Sequence, residues 1–310
     1  MQTVHLLANP QTSRGRAAPT IAKIRLALEA EGARVVPVPA LTAADAEVAC
    51  THLVAEGAER IVVVGGDGMV HLAAQAVATT ETVLGVIPLG TGNDFAGSLG
   101  LSFDVPAAAR TALAPPTPID LMRIGDRWAA SVATAGFSVD VNRLANELRW
   151  PRGSSRYTLA TLARLPRLAP RSFELTVDDD LHTVEALVLT VANTSDFGGG
   201  MRITPDADPR DGQLDITLVG AASRVELLRW FRKVFDGSHL DHPAVTTLRG
   251  RNISISAGAG EVWADGEPVT SAPTTITVVA GALQLALSPD ETSPPSSAAE
   301  RACRKTSDRK

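Results

Sequence analysis

Ile61-Val62-Val63-Val64-Gly65-Gly66-Asp67-Gly68, followed by Val83-Leu84-Gly85-Val86-Ile87-Pro88-Leu89-Gly90-Thr91-Gly92-Asn93-Asp94-Phe95, decides the fold. Each stretch is an apolar run that empties into a glycine loop. Two such units in succession predict neighbouring strand ends opening onto one crevice, where open α/β sheets place ligands. The glycines let the backbone turn sharply and approach a ligand without an intervening side chain. A helix is expected from Met69 to about Ala78, with Leu72, Ala73, Ala76 and Val77 at helical spacing. Its first amides lack intrahelical partners and favour an anion such as a nucleotide triphosphate. Asp67 would repel phosphate unless a cation intervenes, and Mg²⁺ is commonly held by one or two carboxylates plus substrate phosphates. Asp94 repeats the arrangement at the next strand end. Taken singly, Asp67 reads as a turn residue and Asp94 as a cap for a short helix near Phe95. Taken together, inside adjacent glycine loops, they favour a metal–phosphate role.

Upstream, Val4–Ala8 reads as a strand and Asn9–Gly15 as a polar loop. A helix follows from about Ala17 to Glu31, then a strand over Arg34–Pro39. Thr42 is a good N-cap for a helix of about Ala43–Glu56. Alternating strands and helices at this spacing predict a doubly wound parallel sheet with helices on both faces.

Pro115-Pro116-Thr117-Pro118 marks a boundary. Three segments are expected: an α/β domain over 1–118, a β-rich domain over 119–288, and a disordered tail over 289–310, where Ser, Pro, Lys and Arg dominate. In the second domain, Ile119–Ile124 and Arg127–Ala133 flank Gly125-Asp126, a hairpin signal. Residues 138–168 look helical. Arg149, Arg152, Arg156, Arg164, Arg167 and Arg171 fall in a window without Asp or Glu, interleaved with Trp150, Tyr157, Leu159, Leu162 and Leu165. That window reads equally as a surface attracted to anionic membrane and as a solvated helix face. Arg171–Asp178 and Leu181–Ala192 form a strand pair, and Asn193–Met201 a glycine loop. Gln213–Val219 is a strand. Val225–Phe235 is an amphipathic helix with Leu227, Leu228 and Phe231 inward. Val245–Leu248, Asn252–Ala257, Glu261–Ala264 and Thr274–Val279 complete an antiparallel set. Asp265-Gly266-Glu267-Pro268 is a tight turn by composition.

The 310 residues suffice for two cores, and an apolar fraction of 45 % argues against general disorder. A net charge of −5 makes a nucleic-acid partner unexpected. Cys50 and Cys303 form no disulfide framework, which fits a reducing compartment. No basic leader opens the sequence, and no apolar run reaches the length of a transmembrane segment, about 18 residues. A cytoplasmic protein is expected.

Gly65–Gly68 together with Pro88–Phe95 resembles the catalytic domain of diacylglycerol kinases and the bacterial lipid kinases related to sphingosine and ceramide kinases. The tetrapeptide alone is shared with NAD kinases, whose N-terminal fold this one is expected to resemble; the second motif makes the match specific. The resemblance spans about residues 4–287. It implies a β-sandwich-like second domain, with ATP and Mg²⁺ as cofactors. Nucleotide contacts would come from Asn9, Pro10, Ser13, Thr42, Gly65, Gly66, Asp67, Gly68, Gly90, Thr91, Gly92, Asn93 and Asp94. Asp120 matches an acidic position supporting the metal and water network of Asp67 and Asp94. Asp208, Asp211 and Gln213 match a structural Mg²⁺ loop, Gln213 through its carbonyl; the same run reads without a metal as a turn at Asp211-Gly212. Asp265-Gly266-Glu267 matches the segment that supplies the general base, with the precedent leaning to Glu267 and Asp265 supporting. The second domain would close one side of a cleft. The acceptor would be a lipid hydroxyl, diacylglycerol or a related lipid, met at the inner membrane face by peripheral association; a homodimer is compatible with this. Met69, Val70, His71 and Leu72 depart from the family pattern, which commonly has Thr after the tetrapeptide, and His71 reads as a helix-surface residue. Two rivals follow: an NAD kinase-like phosphotransferase, against which the Gly90–Phe95 and Asp208–Asp215 stretches speak, and a non-catalytic nucleotide- or lipid-binding relative.

Overall fold

The computed structural model describes residues 1–8, 17–148, 155–164 and 169–288. The expected tail, 289–310, lies outside the described residues. The described residues divide into two compact units, one within residues 1–119 with 281–288, the other within residues 120–280.

The first unit carries the strands β1 (Thr3–Ala8), β2 (Arg34–Pro39), β3 (Arg60–Gly65) and β4 (Val83–Pro88), all parallel in the order β2-β1-β3-β4. The helices are α1 (Ala17–Ala30), α2 (Ala43–Ala55), α3 (Asp67–Val77), α4 (Asp94–Ser98) and α5 (Val105–Ala112). Successive strand residues point to opposite faces. Val4, Leu6, Val62, Val64 and Ile87 therefore pack under Ile24 and Leu28 of α1 and Ala108 and Ala109 of α5. Leu7, Ile61 and Val63 point the other way, and α3 lies against β3 with α2 beside it. Every residue of β3 is buried, as a central strand covered on both faces requires.

The second unit is mainly antiparallel. Its strands are β5 (Pro116–Ile124, from residue 120), β6 (Arg127–Ala129), β7 (Val132–Gly136), β8 (Arg171–Val177), β9 (Asp180–Ala192), β10 (Leu214–Gly220), β11 (Val245–Gly250), β12 (Asn252–Ala257), β13 (Glu261–Ala264), β14 (Glu267–Ser271) and β15 (Thr274–Ala286, as far as residue 280). The path β14-β13-β7-β9-β8-β12-β15 is extended by β10 on β9 and β11 on β10. Residues 180–186 of β9 pair with β8, while 188–192 lie between β7 and β10. Phe173, Leu175, Leu189, Val191, Leu214, Ile216, Ile253 and Ile276 share one core, giving a β-sandwich-like domain. Helices α6 (Phe137–Glu147), α7 (Ser155–Arg164) and α8 (Arg224–Phe231) complete it.

Several boundaries differ from the sequence pattern. The strand expected over Arg127–Ala133 breaks: β6 pairs with β5, but β7 pairs with β13 and β9. Of the stretch 138–168 expected to be helical, the described residues form α6 and α7, and 149–154 and 165–168 lie outside the described residues. A strand absent from the reading, β14, pairs with β13 around Asp265-Gly266, whose φ values of 52° and 88° are those of a tight hairpin turn. The last strand runs past Val279 to Ala286, and its end returns to the first unit, where Leu285 pairs with Leu84 of β4. The side chains of Leu228 and Phe231 lie outside the described residues.

Candidate functional site

Because β1–β4 are parallel, their carboxyl ends fall along one edge: Ala8 stands beside Pro39 and Val64, and Gly65 beside Pro88. The segments leaving that edge are the expected nucleotide loops. Asn9, Pro10 and Ser13 lie outside the described residues. Thr42 leaves β2 and caps α2 in a reciprocal box: Asp45 N–H donates to Thr42 Oγ1 at 3.1 Å and Thr42 N–H to Asp45 Oδ2 at 2.9 Å.

The loops after β3 and β4 pack on each other through backbone. A methyl on Gly66 would meet Gly90 Cα at 3.0 Å, and one on Gly90 would strike both Gly66 and Asn93, the latter at 2.7 Å. Asn93 holds the second loop closed, accepting from Gly90 N–H and donating to the Gly90 carbonyl, both at 2.9 Å. It does so from the left-handed region, at φ 56°, where Asn is tolerated. Leu89 N–H donates to the Gly65 carbonyl at 2.8 Å.

Asp67, the first residue of α3, reaches across: its Oδ1 accepts Phe95 N–H at 3.0 Å. The cap of α4 is thus supplied by Asp67 from the other loop, and the capping role considered for Asp94 falls away; Asn93, at the N-cap position, makes no side-chain cap bond. A methyl on Gly92 would stand 2.8 Å from Asp67 Oδ2 and 3.7 Å from Asp94 Oδ2. Both carboxylates therefore border the same small space, which only glycine leaves open.

Two departures from the family pattern take definite places. Met69 packs against Gly65, so closely that any Cβ there would strike it. His71 is not a surface residue: it is 3 % exposed, on the buried side of α3 with Val70 and Ala74.

In the second unit, both oxygens of Asp265 are committed. Oδ2 accepts Ala130 N–H at 2.8 Å and Oδ1 accepts Ser131 N–H at 2.9 Å. Glu267, two residues on at the start of β14, is exposed, and its carboxylate takes no hydrogen bond among the described residues.

Asp120 is buried on β5 and clamps the 208–213 loop: its N–H donates to the Pro209 carbonyl at 2.7 Å and its Oδ2 accepts Gly212 N–H at 2.8 Å. Asp208 pairs with Arg210 at 2.8 Å. Asp211 accepts Gln213 N–H at 2.9 Å and pairs with Arg249, which also reaches Asp215 at 3.1 Å. Burial pushes the Asp215 carboxyl up to about 6; Arg249 opposes the shift, and the charges of Asp211 and Asp206 add to it. Sequence reasoning missed Arg249 and Asn193. Asn193 is buried and donates to the carbonyls of Asp120 at 2.7 Å and Ala130 at 2.9 Å, linking the Asp120 clamp to the segment that holds Asp265. Its one sequence signal is its place as the first residue after the largely apolar end of β9.

Of the basic window, Arg149, Arg152 and Arg167 lie outside the described residues. The Arg156 side chain does too. Arg164 is half-buried, and Arg171 faces Asp140 at 3.6 Å.

Among the described residues no three His, Cys, Asp or Glu side chains converge as a metal cage. Asp67 and Asp94 are a pair of carboxylates in a glycine cradle, which suits Mg²⁺ shared with substrate phosphates. Asp208 and Asp211 each face a guanidinium, that of Arg210 and that of Arg249. No helix among the described residues is long and apolar enough to cross a membrane.

Residues 3–124 match the model of the diacylglycerol kinase catalytic domain, and residues 131–287 that of the YegS C-terminal NAD kinase beta sandwich-like domain. The chain is 39 % identical over 290 residues to a protein of Mycobacterium tuberculosis named diacylglycerol kinase, covering 91 % of this chain and 94 % of that one. It is 32 % identical over 252 residues to a Pseudomonas savastanoi protein named "Probable lipid kinase YegS-like", covering 80 % of this chain and 82 % of the relative. A crystal structure of a diacylglycerol kinase from Bacillus anthracis superposes with a TM-score of 0.72 at 22 % identity, over 93 % of this chain and 98 % of that one, and so shares the fold.

Proposed function

The chain belongs to the diacylglycerol kinase and YegS-like family of lipid kinases, and we propose that it transfers the γ-phosphoryl group of ATP to the hydroxyl of diacylglycerol or a related lipid. The observation that carries the nucleotide half is the Asp67–Asp94 pair on either side of Gly92, within glycine loops at adjoining parallel strand ends.

In this reading the backbone at Gly66–Gly68, with the amide end of α3, binds phosphate oxygens; the close seating of Gly66 on Gly90 keeps side chains out of the way. Asp67 and Asp94 would hold Mg²⁺, Asp67 through Oδ2 because Oδ1 serves Phe95. The bound cation supplies charge neutralisation on the transferring phosphoryl group. Glu267 is the general base that takes the acceptor proton. Its exposure supports that role, whereas both oxygens of Asp265 already accept backbone N–H bonds. Asp265 then positions the Asp265–Glu267 turn. Electrostatics and positioning carry most of phosphoryl transfer. The acceptor is met at the surface of a membrane, from its cytoplasmic side.

Incubation with γ-labelled ATP and a total lipid extract, followed by mass identification of the product, tests the proposal. Labelled phosphatidic acid is expected. Label appearing in NADP when NAD is supplied, with none in any lipid, would overturn it.

A further inference from the structure

Between β10 and β11 the chain leaves the sheet for residues 221–244. The inner side of this excursion is tied down. Arg202 N–H donates to the Val234 carbonyl at 2.8 Å, a methyl on Gly237 would meet Pro205 Cγ at 2.7 Å, and buried His239 sets Nε2 3.2 Å from the Ile203 carbonyl. The outer side is open. Val225 is 57 % exposed and Phe235 43 %. Arg229, Arg232 and Lys233 are exposed as well. Val225, Arg229 and Arg232 follow at helical spacing, so α8 and the turn after it present them on one face.

The charge is sorted. Residues 223–235 hold Arg224, Arg229, Arg232 and Lys233 against a single acid, Glu226, in a chain of net charge −5. Glu226 is occupied at the start of α8: its Oε2 accepts Ser223 N–H at 2.8 Å while its own N–H donates to Ser223 Oγ at 3.3 Å. The next acid, Asp236, accepts Ser238 N–H at 2.9 Å and Ser238 O–H at 2.6 Å. Exposed apolar side chains therefore stand among exposed cations, with the nearby acids bound locally. That combination matches anionic headgroups over acyl chains.

We infer that the outer face of residues 223–235 docks this kinase on an anionic membrane leaflet. Val225 and Phe235 enter the headgroup boundary, and Arg229, Arg232 and Lys233 meet lipid phosphates. The inference rests on the lipid-acceptor reading for its purpose, but not for its chemistry.

The test is co-sedimentation with phosphatidylcholine vesicles made with and without phosphatidylglycerol. The wild-type chain should bind the anionic vesicles and release in high salt. Each surface cation is worth about a factor of five, so R229Q/R232Q/K233Q should bind on the order of a hundred-fold more weakly. Turnover of a short-chain acceptor below its micelle threshold should stay unchanged. R229K/R232K should retain vesicle binding. A triple variant with wild-type melting temperature and undiminished binding would overturn the inference. So would a wild-type dimer that the triple substitution splits without affecting vesicle binding. If vesicle binding falls as expected although the wild-type chain phosphorylates no lipid, the docking face stands and the acceptor reading falls.

Discussion

The carboxylate of Asp67 accepts the backbone N–H of Phe95 at 3.0 Å, tying the loop after β3 to the helix after β4. One oxygen thus has a structural duty, leaving Oδ2 towards Gly92 for the proposed Mg²⁺ role. The two duties separate by substitution. Asp67→Ala should lose the cap, about 1 kcal/mol, together with turnover. Asp67→Asn keeps an acceptor for Phe95 and should melt near wild type, yet lose on the order of 10²–10³ in turnover. Thermal melting beside kinase assays checks both; a fully active Asp67→Asn would remove the carboxylate's charge from the mechanism.

Gly90 and Gly68 should respond oppositely to a methyl group. At Gly90 it strikes the Gly66 backbone and Asn93, whereas at Gly68 nothing lies within 4 Å. Gly90→Ala should cost about 1–3 kcal/mol, as overpacking does. Gly68→Ala should leave stability unchanged or raise it by up to about 1 kcal/mol. Denaturant midpoints of the two variants give the comparison.

What could be read in the sequence, and what could not, follows from the range of the interactions. The buried runs of β3 and β4 and their glycine loops are local, and both strands fall where the pattern puts them. Thr42 declared itself as a cap because its partner, Asp45, is three residues away. The grip of Asp67 on Phe95, and of Asp265 on Ala130 and Ser131 more than a hundred residues earlier, leaves no local trace. His71 is buried in a helix that packs against α2, α4, β3 and β4, and the pattern of α3 alone does not reveal how many neighbours surround it. The strand β14 is hidden in the sequence because Pro268 within it suggests a turn; Pro is tolerated there on the last strand of the path.

Asp265 and Glu267 should separate structure from chemistry in the same way. Asp265→Ala strands two backbone N–H groups and should lower stability by about 2 kcal/mol. Glu267→Gln, at an exposed position, should leave melting unchanged while lowering kcat by about 10²–10⁴. Parallel melting curves and steady-state kinetics test the pair. A normal kcat in Glu267→Gln would move the base elsewhere.

Asp215 predicts a pH signature. Its carboxyl titrates near 6 in the folded chain against 3.8 in its ordinary state, chiefly through burial. Between those values the folded state binds more protons than the unfolded, so stability falls as pH rises. Its Oδ2 is buried without a hydrogen-bond partner among the described residues. Asp215→Asn avoids burying the charge. It should therefore be more stable than wild type above about pH 6, by up to about 3 kcal/mol, with the gap closing below about pH 4. Melting across that range measures the gap, and a pH-independent gap would contradict the assignment.

Calorimetric titration of a non-hydrolysable ATP analogue into the full chain, with and without Mg²⁺, bears most directly on the central claim. The Asp67–Asp94 pair should make binding strongly Mg²⁺-dependent in the wild-type chain, and Asp67→Asn/Asp94→Asn should abolish that dependence while leaving the fold intact. Nucleotide binding indifferent to Mg²⁺ in the wild type, or equally Mg²⁺-dependent in the double variant, would contradict the account.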